Sequence, residues 1–313
     1  MNLDLGSRTT QVGSGDQSKS YATCLAVDRF TGEIVAFGDE AEKLSERTAT
    51  NTKVVRPVAK GVITDLDLAA KYLQLVWTDL GRWNRLKRGP LKVVTSTNLS
   101  RLGQNILAEA VAVSRKKPHF VLGGLASSTE GETDINSTSA RAVINLGAET
   151  TEAAVFGSGR VLRSEFTPIG ADELTRAIQV GISNDFGADI PWFLAEQTKR
   201  SFADIDPSQE TGTSTDVVAR DRLSGLPVSL TVKSSDIENW FQPYLSRLRT
   251  LLCQVFSDLP PQVADDLLQK GVLLTGGGAL QRGIEEFVTS TIGIDARVAA
   301  NPIESAVLGA EKL

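Results

Sequence analysis

Two ten-residue stretches hold the residue types that bind phosphate. "LDLGSRTTQV" starts at Leu3 and "INLGAETTEA" at Ile144. Each reads as an apolar strand, a tight turn at a glycine, paired threonines and a second apolar strand. Asp4 falls on Asn145, Gly6 on Gly147, Thr9 on Thr150 and Thr10 on Thr151, a gapless offset of 141 residues (145 minus 4). Glycine at such a turn lets backbone N–H groups approach an anion, and the hydroxyls add donors. An aspartate at the first turn would hold a phosphate-bound Mg²⁺ through water. Two unrelated hairpins sharing a common turn would look similar, but Leu-Gly and Thr-Thr recurring in register favour a duplicated domain. Two such turns facing each other would clamp a polyphosphate from both sides.

A third glycine element follows in "GVLLTGGGALQRGIEEF" from Gly271. It reads as a buried strand (Val272 to Leu274), a turn at Gly276, Gly277 and Gly278, and an amphipathic helix opening near Leu280. Strand, glycine loop and helix N-terminus together suit a phosphate or a purine edge against backbone. A tight connection alone would also use three glycines. The stretch is neither a dinucleotide fingerprint nor a Walker loop, since GxGxxG and GK[ST] are both missing.

The elements that must position these turns alternate along the chain. "LKVVTST" reads as a strand, residues 102–113 as a helix and "HFVLGG" as the next strand. Such alternation predicts a mostly parallel sheet with helices on its faces. Leu174, Ala177, Ile178 and Ile182 share one helical face behind the acidic start Asp172-Glu173. Residues 226–232 are β-like. Residues 235–256 have helical periodicity, with Pro243 expected to break or kink it. The polar stretches at 13–20 and 128–140 read as surface loops, and the second places a domain boundary near residue 141.

Composition sets bounds. A chain of 313 residues suffices for two domains with real cores. Apolar content of 41% and charged content of 23% are those of a globular protein. A net charge of -5 and a pI near 5.2 give no broad basic surface, so no nucleic-acid partner is expected. Cys24 and Cys253 lie in apolar runs and read as buried thiols rather than a disulfide, which suits a reducing cytoplasm. With His119 the one histidine and no Cys/His cluster, no zinc site is expected. No apolar run approaches the roughly 18 residues of a spanning helix. No secretory leader is expected before the first strand.

With these residues in place, the chain resembles MreB, the bacterial actin-like cytoskeletal family within the actin, sugar-kinase and heat-shock-chaperone ATPase superfamily. The resemblance runs over nearly the whole chain. It rests on "VAFGDEAEKLSERTATNTKVVRPVAKGVITDLD" from Val35, "TPIGADELTRAI", "GVLLTGGGALQRG" and "NPIESAVLGAEK", in the family's order. It implies an α/β, actin-like fold of two duplicated α/β domains, each with a small subdomain, and ATP in a cleft between them. Domain I would span 1–141 with its small subdomain within about 20–75, and domain II 142–313 with its small subdomain within about 183–235. Asp4, Gly6, Ser7, Arg8, Thr9 and Thr10 match the first phosphate loop. Gly147, Ala148, Glu149, Thr150 and Thr151 match the second. Gly276, Gly277, Gly278 and Ala279 match the adenosine motif. Glu196 and Lys199 match the Glu-x-x-Lys pair used on the nucleoside; by spacing alone the pair would read as a solvated helix face. ATP and Mg²⁺ are the implied cofactors, with Asp4 reaching the metal through water.

The departures from the family pattern matter as much. The family's second loop ordinarily begins with an aspartate and continues with three glycines. Here Asn145 replaces the acid, Ala148 one glycine and Glu149 another. The amide weakens the hold on a metal, and Glu149 adds like-charge repulsion of about 1 kcal/mol in water and about 4 at a surface-like dielectric at 4 Å. Arg8 replaces a small residue at the position equivalent to Glu149, so the two are expected to pair and partly shut the site. Where the family carries the acid that positions the attacking water stand Gly123 and Gly124, with Glu130 a poor substitute. Positioned water polarisation is worth about 10²–10⁴ in rate, so slow or absent hydrolysis is expected. Thr150 alone would keep an auxiliary catalytic role.

"LGRWNRLKRGPLK" from Leu80 sets Trp83 and Leu86 among basic residues. In the family this region can carry an apolar pair that dips into the inner leaflet, and each nearby charge adds about 1 kcal/mol on anionic lipid. The other reading is a solvated basic loop with Trp83 packed inward. The expected function is a cytoplasmic, membrane-proximal scaffold that binds ATP weakly, self-associates into filaments or oligomers, and works with membrane-embedded proteins of cell-wall morphogenesis and cell shape. A nucleotide-independent binding module that keeps the fold for its surfaces is the alternative. A sugar-type kinase is disfavoured because it needs a carboxylate base beside the phosphate loop, and a chaperone because nothing follows Leu313 to grip a peptide.

Overall fold

The computed structural model describes residues 1–15, 17–45, 51–85, 90–129, 138–205 and 212–313, with the side chains of 82–85 left out. The chain divides into two compact units. One holds Met1–Thr138, Phe156–Val161 and Ile303–Leu313, the other Ser139–Val155 and Leu162–Pro302.

The first unit opens with β1 (Asn2–Leu5), β2 (Thr9–Ser14) and β3 (Gln17–Ala22), an antiparallel meander. The expected loop at 13–20 is therefore a correction: the chain reverses at Gly15, in the left-handed region at φ 60°, and both flanks stay paired. A small sheet follows, β4 (Leu25–Asp28), β5 (Ile34–Phe37) and β6 (Thr52–Val55), ordered β5-β4-β6 and backed by α1 (Asp39–Ser45). The short pair β7 (Val58–Ala59) and β8 (Val62–Ile63) leads into α2 (Leu66–Arg85), whose helical path is interrupted at Gly81. Ala69, Tyr72, Leu73, Val76, Trp77 and Leu80 recur at helical spacing along α2 and are all buried. Then come β9 (Leu91–Thr95), α3 (Arg101–Val111), β10 (Pro118–Leu122) and α4 (Gly123–Ser127). The Ser100 side chain caps α3 by accepting from Gly103 N at 3.1 Å. The five-stranded sheet runs β10-β9-β1-β2-β3, parallel from β1 through β9 to β10.

The second unit repeats this plan. β11 (Arg141–Leu146), β12 (Thr151–Gly157) and β13 (Arg160–Thr167) are followed by α5 (Asp172–Phe186), β14 (Ala188–Asp189) and α6 (Trp192–Ser201). β15 (Ser214–Asp221) and β16 (Pro227–Lys233) complete a small sheet ordered β14-β15-β16. α7 (Ser234–Phe256), α8 (Pro261–Lys270), β17 (Val272–Thr275), α9 (Ile284–Ile292) and β18 (Ala296–Val298) finish the unit. Its large sheet runs β13-β12-β11-β17-β18. Read from the meander outward, both sheets have one order: third, second and first strands, then two parallel strands that come later in sequence. The expected mostly parallel sheet is thus corrected to a mixed one, because the meander supplies three of its five strands. β11 and β17 are buried nearly throughout, as central strands covered on both faces must be.

Two further expectations change. α7 continues through Pro243, whose ring is on the exposed side. The carbonyl four residues back, to which a residue other than proline at 243 would donate, belongs to exposed Asn239, where it is open to solvent. Cys24 is buried but Cys253 is exposed, and both are free thiols. After β18 the chain returns to the first unit through α10 (Ser305–Gly309). Gly309 allows this: a Cβ there would lie 2.0 Å from Ala126 O. Lys92 and Lys312 then tie the end down, donating to Ala310 O at 2.9 Å and to Thr129 O at 2.9 Å. Among the described residues no helix is long and apolar enough to cross a membrane.

Candidate functional site

Both turns found in the sequence close in the same way. Gly6 N donates to Thr9 O at 3.1 Å and Gly147 N to Thr150 O at 2.8 Å. Cβ atoms at Gly6 and Gly147 would stand 2.8 and 2.9 Å from those same oxygens, so neither turn has room for a side chain at its first glycine. The second threonine of each pair is framework. Thr10 is buried and shares a 2.8 Å hydrogen bond with the Thr23 hydroxyl. Thr151 is buried and donates to Ile169 O at 2.8 Å. Thr9, Ala148, Glu149 and Thr150 are half-buried, while Ser7 is buried.

In the first unit, Asp4 lies opposite Gln11 on the β1–β2 ladder. The carboxyl is half-buried, and burial pushes it up to about 6. A desolvated carboxylate of this kind gains from a cation. Arg8 Nη1 lies 3.9 Å from Glu42 Oε1 on α1. Glu42 is more firmly held by Arg56, whose Nη2 donates to both carboxylate oxygens at 2.7 and 2.6 Å. The Cys24 thiol also donates to Glu42 Oε2 at 3.6 Å. Burial pushes that thiol up to about 12, so it stays protonated and inert at neutral pH.

In the second unit, the turn is locked by backbone. Ala171 N donates to Gly147 O at 2.9 Å and Asp172 N to Ala148 O at 2.8 Å, docking the start of α5 on the turn. Gly170 makes this approach possible, because its Cβ would sit 2.5 Å from Gly147 O. The triple glycine packs on the other side. Cβ atoms at Gly276 and Gly278 would meet Leu146 O at 2.4 and 2.9 Å, and Gly276 has a φ of 82°. Gly277 faces open space, with nothing within 4 Å of its Cβ position. Ala279 is buried. The residues after Gly276 form a short 3₁₀ turn, Gly277–Leu280, and α9 opens only at Ile284, later than the sequence suggests. Asn145 Oδ1 accepts from the Thr275 hydroxyl at 3.5 Å, so the amide is tied to the neighbouring strand.

Glu196 and Lys199 also converge on this corner. Their ion pair is 2.6 Å long, with side-chain exposures of 20% and 7%, which replaces the solvated face that spacing alone suggested. Lys199 Nζ donates to Ala171 O at 3.2 Å, and Thr175 and Arg200 donate to Glu196. Burial works to raise the Glu196 carboxyl, but the Lys199 charge and these hydrogen bonds outweigh it and hold the group low. Burial holds the Lys199 ammonium below its ordinary value, with Glu196 opposing. The second turn, the triple glycine and this pair are therefore one connected arrangement around residues 145–148 and 170–172. The contributions of Gly170 and Thr175, and Glu42 as a partner for Arg8, had no motif of their own in the sequence.

Gly123 and Gly124 open α4. A Cβ at Gly123 would lie 2.9 Å from Val94 Cγ1. Among the described residues no group of three or more His, Cys, Asp or Glu is placed to hold a metal. Leu86 and the Trp83 side chain, with the lipid contact read from them, lie outside the described residues, as does Glu130.

Comparison with known proteins gives one consistent answer. The family model described as "MreB/Mbl protein" matches residues 1–313. The cell shape-determining protein Mbl of Bacillus subtilis is 26% identical over 286 residues, covering 91% of this chain and 86% of Mbl. The cell shape-determining protein MreB of Escherichia coli is 24% identical over 320 residues, covering 100% and 92%. Among solved structures, MreB 5 of Spiroplasma citri bound to AMPPNP superimposes with a TM-score of 0.90 at 21% identity, over 99% of this chain and 94% of its own. The MamK double helical filament gives 0.76 at 16% identity, over 98% and 96%.

Proposed function

This chain belongs to the MreB/Mbl family and has its actin-like fold, and from that premise we propose that it is a cell-shape cytoskeletal protein. In this reading it binds ATP and assembles into filaments or short oligomers, but hydrolyses nucleotide slowly or not at all. The observation that carries the nucleotide reading is the connected corner of the second unit. There the open Gly277, the Gly147 turn and the buried Glu196–Lys199 pair meet at the start of α5. Backbone donors at the turn would take phosphate oxygens, and the buried pair offers polar contacts for a nucleoside. Asp4, in the first unit, has the carboxylate chemistry for a Mg²⁺ held through water, whereas Asn145 has exchanged its charge for an amide. The metal, when bound, would supply charge neutralisation on the phosphates.

Slow hydrolysis follows from what α4 lacks. Gly123 and Gly124 present no group to orient or polarise water, and the Thr150 hydroxyl, half-buried, can hydrogen-bond to water but is no base at neutral pH. Filament assembly and the membrane-embedded partners of cell-wall synthesis extend from relatives to this chain, and the inner membrane surface is where that role would be played.

The test is calorimetric titration with Mg-ATP, followed by sedimentation with and without nucleotide and a phosphate-release assay. Weak binding, slow release and pelleting are expected. Rapid phosphate release would overturn the slow-hydrolysis reading. No binding, together with nucleotide-independent pelleting, would replace it with the scaffold that keeps the fold for its surfaces.

A further inference from the structure

One face of the β1–β2 ladder is apolar and the other is polar. Leu3 and Val12, opposite each other, belong to the core of the first unit. Side chains alternate along a strand, so Asn2, Asp4 and Gln11 share the other face. Asp4 lies directly opposite Gln11, a pairing that holds Cβ atoms about 5 Å apart.

This face is made of acceptors. Asn2 and Gln11 are 0% and 3% exposed. Both use their amide N–H groups within the unit. Asn2 Nδ2 donates to Val307 O at 2.9 Å and to Glu311 Oε2 at 3.0 Å, and Gln11 Nε2 donates to Ser20 Oγ at 3.2 Å. Both amide oxygens are left buried without a hydrogen bond. Among the described residues no hydrogen bond or ion pair reaches the Asp4 carboxyl. Burial alone pushes that carboxyl up, with no charged neighbour contributing. Lys92, which pairs with Asn2 on β9, is engaged elsewhere: its Nζ donates to Ala310 O and Glu311 O at 2.9 and 3.1 Å. Glu311 is held low by Asn2 and Lys92 among others.

A buried oxygen without a donor costs stability, and three acceptors on one face are what a hard cation requires. The charge of the set selects the ion. One carboxylate and two neutral amides are balanced by a single positive charge, whereas a divalent ion would leave an uncompensated charge on a buried face.

We propose that Asp4, Gln11 and Asn2 hold a monovalent alkali cation in the first unit, with or without nucleotide. The site lies within one unit and does not rest on the nucleotide reading. The Mg²⁺ of that reading would arrive with phosphates, and this ion does not need them.

The experiment is thermal melting of the dilute, nucleotide-free full chain at pH 7, on the wild type, Gln11→Met and Asp4→Asn. The salts are KCl, NaCl, MgCl₂ and tetramethylammonium chloride at matched ionic strength, the last cation being too bulky for such a site. The wild-type Tm should be about 2 °C or more higher in KCl or NaCl than in tetramethylammonium, and should level off as the alkali salt replaces it. Asp4→Asn should abolish that difference. Gln11→Met should at least halve it, yet melt at or above wild type in tetramethylammonium, because a buried orphan oxygen has gone. A wild-type Tm equal in all four salts, the result for ordinary solvent, overturns the proposal. So does a rise confined to MgCl₂, or one that Asp4→Asn retains. Gln11→Met melting lower in every salt, or failing to fold, overturns it as well, since that is the result for a Gln11 amide that donates to Asp4.

Discussion

The two glycine turns share one backbone and differ in what holds them. Gly6 and Gly147 close on Thr9 and Thr150 with near-identical hydrogen bonds, each at the end of the first strand of the same five-strand order. The second turn is then clamped by main chain: Ala171 and Asp172 amides on one side, the triple glycine on the other. The first turn is joined to its surroundings by side-chain contacts such as Thr10 to Thr23 and Arg8 to Glu42, together with a backbone bond from Thr23 N to Arg8 O. A duplicated frame has kept its geometry while its chemistry has diverged. The second copy is clamped by main chain, and where it carries Asn145 and Glu149 the first carries Asp4 and Arg8.

Substitutions can break this contrast, and the largest effect is expected in the rigid copy. Gly170→Ala puts a methyl 2.5 Å from Gly147 O and should cost about 3 kcal/mol in urea unfolding. The matched pair Gly6→Ala and Gly147→Ala should lose equal stability, within about 0.5 kcal/mol, because the two turns have the same clearance. Unequal losses would show that the likeness is superficial. Next comes Lys199→Met, which strips the buried Glu196 of its main counter-charge and frees Ala171 O. With Thr175 and Arg200 still bonded to Glu196, a loss of about 2 kcal/mol is expected at pH 7. Glu196 is held low in the folded state, so its contribution is present above the ordinary value of 4.5 and lost as pH falls through the folded value. The variant's deficit should therefore narrow in acid.

Asp4→Asn should act in the opposite direction. Asp4 is raised from 3.8 to about 6, so the folded state binds the proton more tightly, and its charge costs stability as pH rises through that window. Without a cation, the variant should be about 1–2 kcal/mol more stable than wild type at pH 7 and no different near pH 3, below the unfolded value of 3.8, by thermal melts. A gain that persists near pH 3 would mean that packing, not charge, is responsible.

Much of this was legible in the sequence because turns and repeats are local. The register of "LDLGSRTTQV" on "INLGAETTEA" specified both hairpins, and the triple glycine announced a close backbone approach. What escaped was set by distance or by burial. β3 is an edge strand with one buried residue, Tyr21, so it carries no apolar alternation and its start reads as loop. The spacing of Glu196 and Lys199 cannot distinguish a solvated pair from one sealed beneath α5. Glu42 is far from Arg8 in sequence and carries no motif to link them. Cys253 lies among leucines, yet helix α7 turns it outward. The return of Ile303–Leu313 to the first unit depends on contacts such as Gly309 on Ala126, which no periodicity encodes.

The floor beneath Gly123 has a consequence for redesign. A side chain there would run into Val94 Cγ1, on a stiff β-branched residue of a packed strand. An acid placed at Gly123 has to displace that wall, so a smaller residue at Val94 is the companion change that would make room for it.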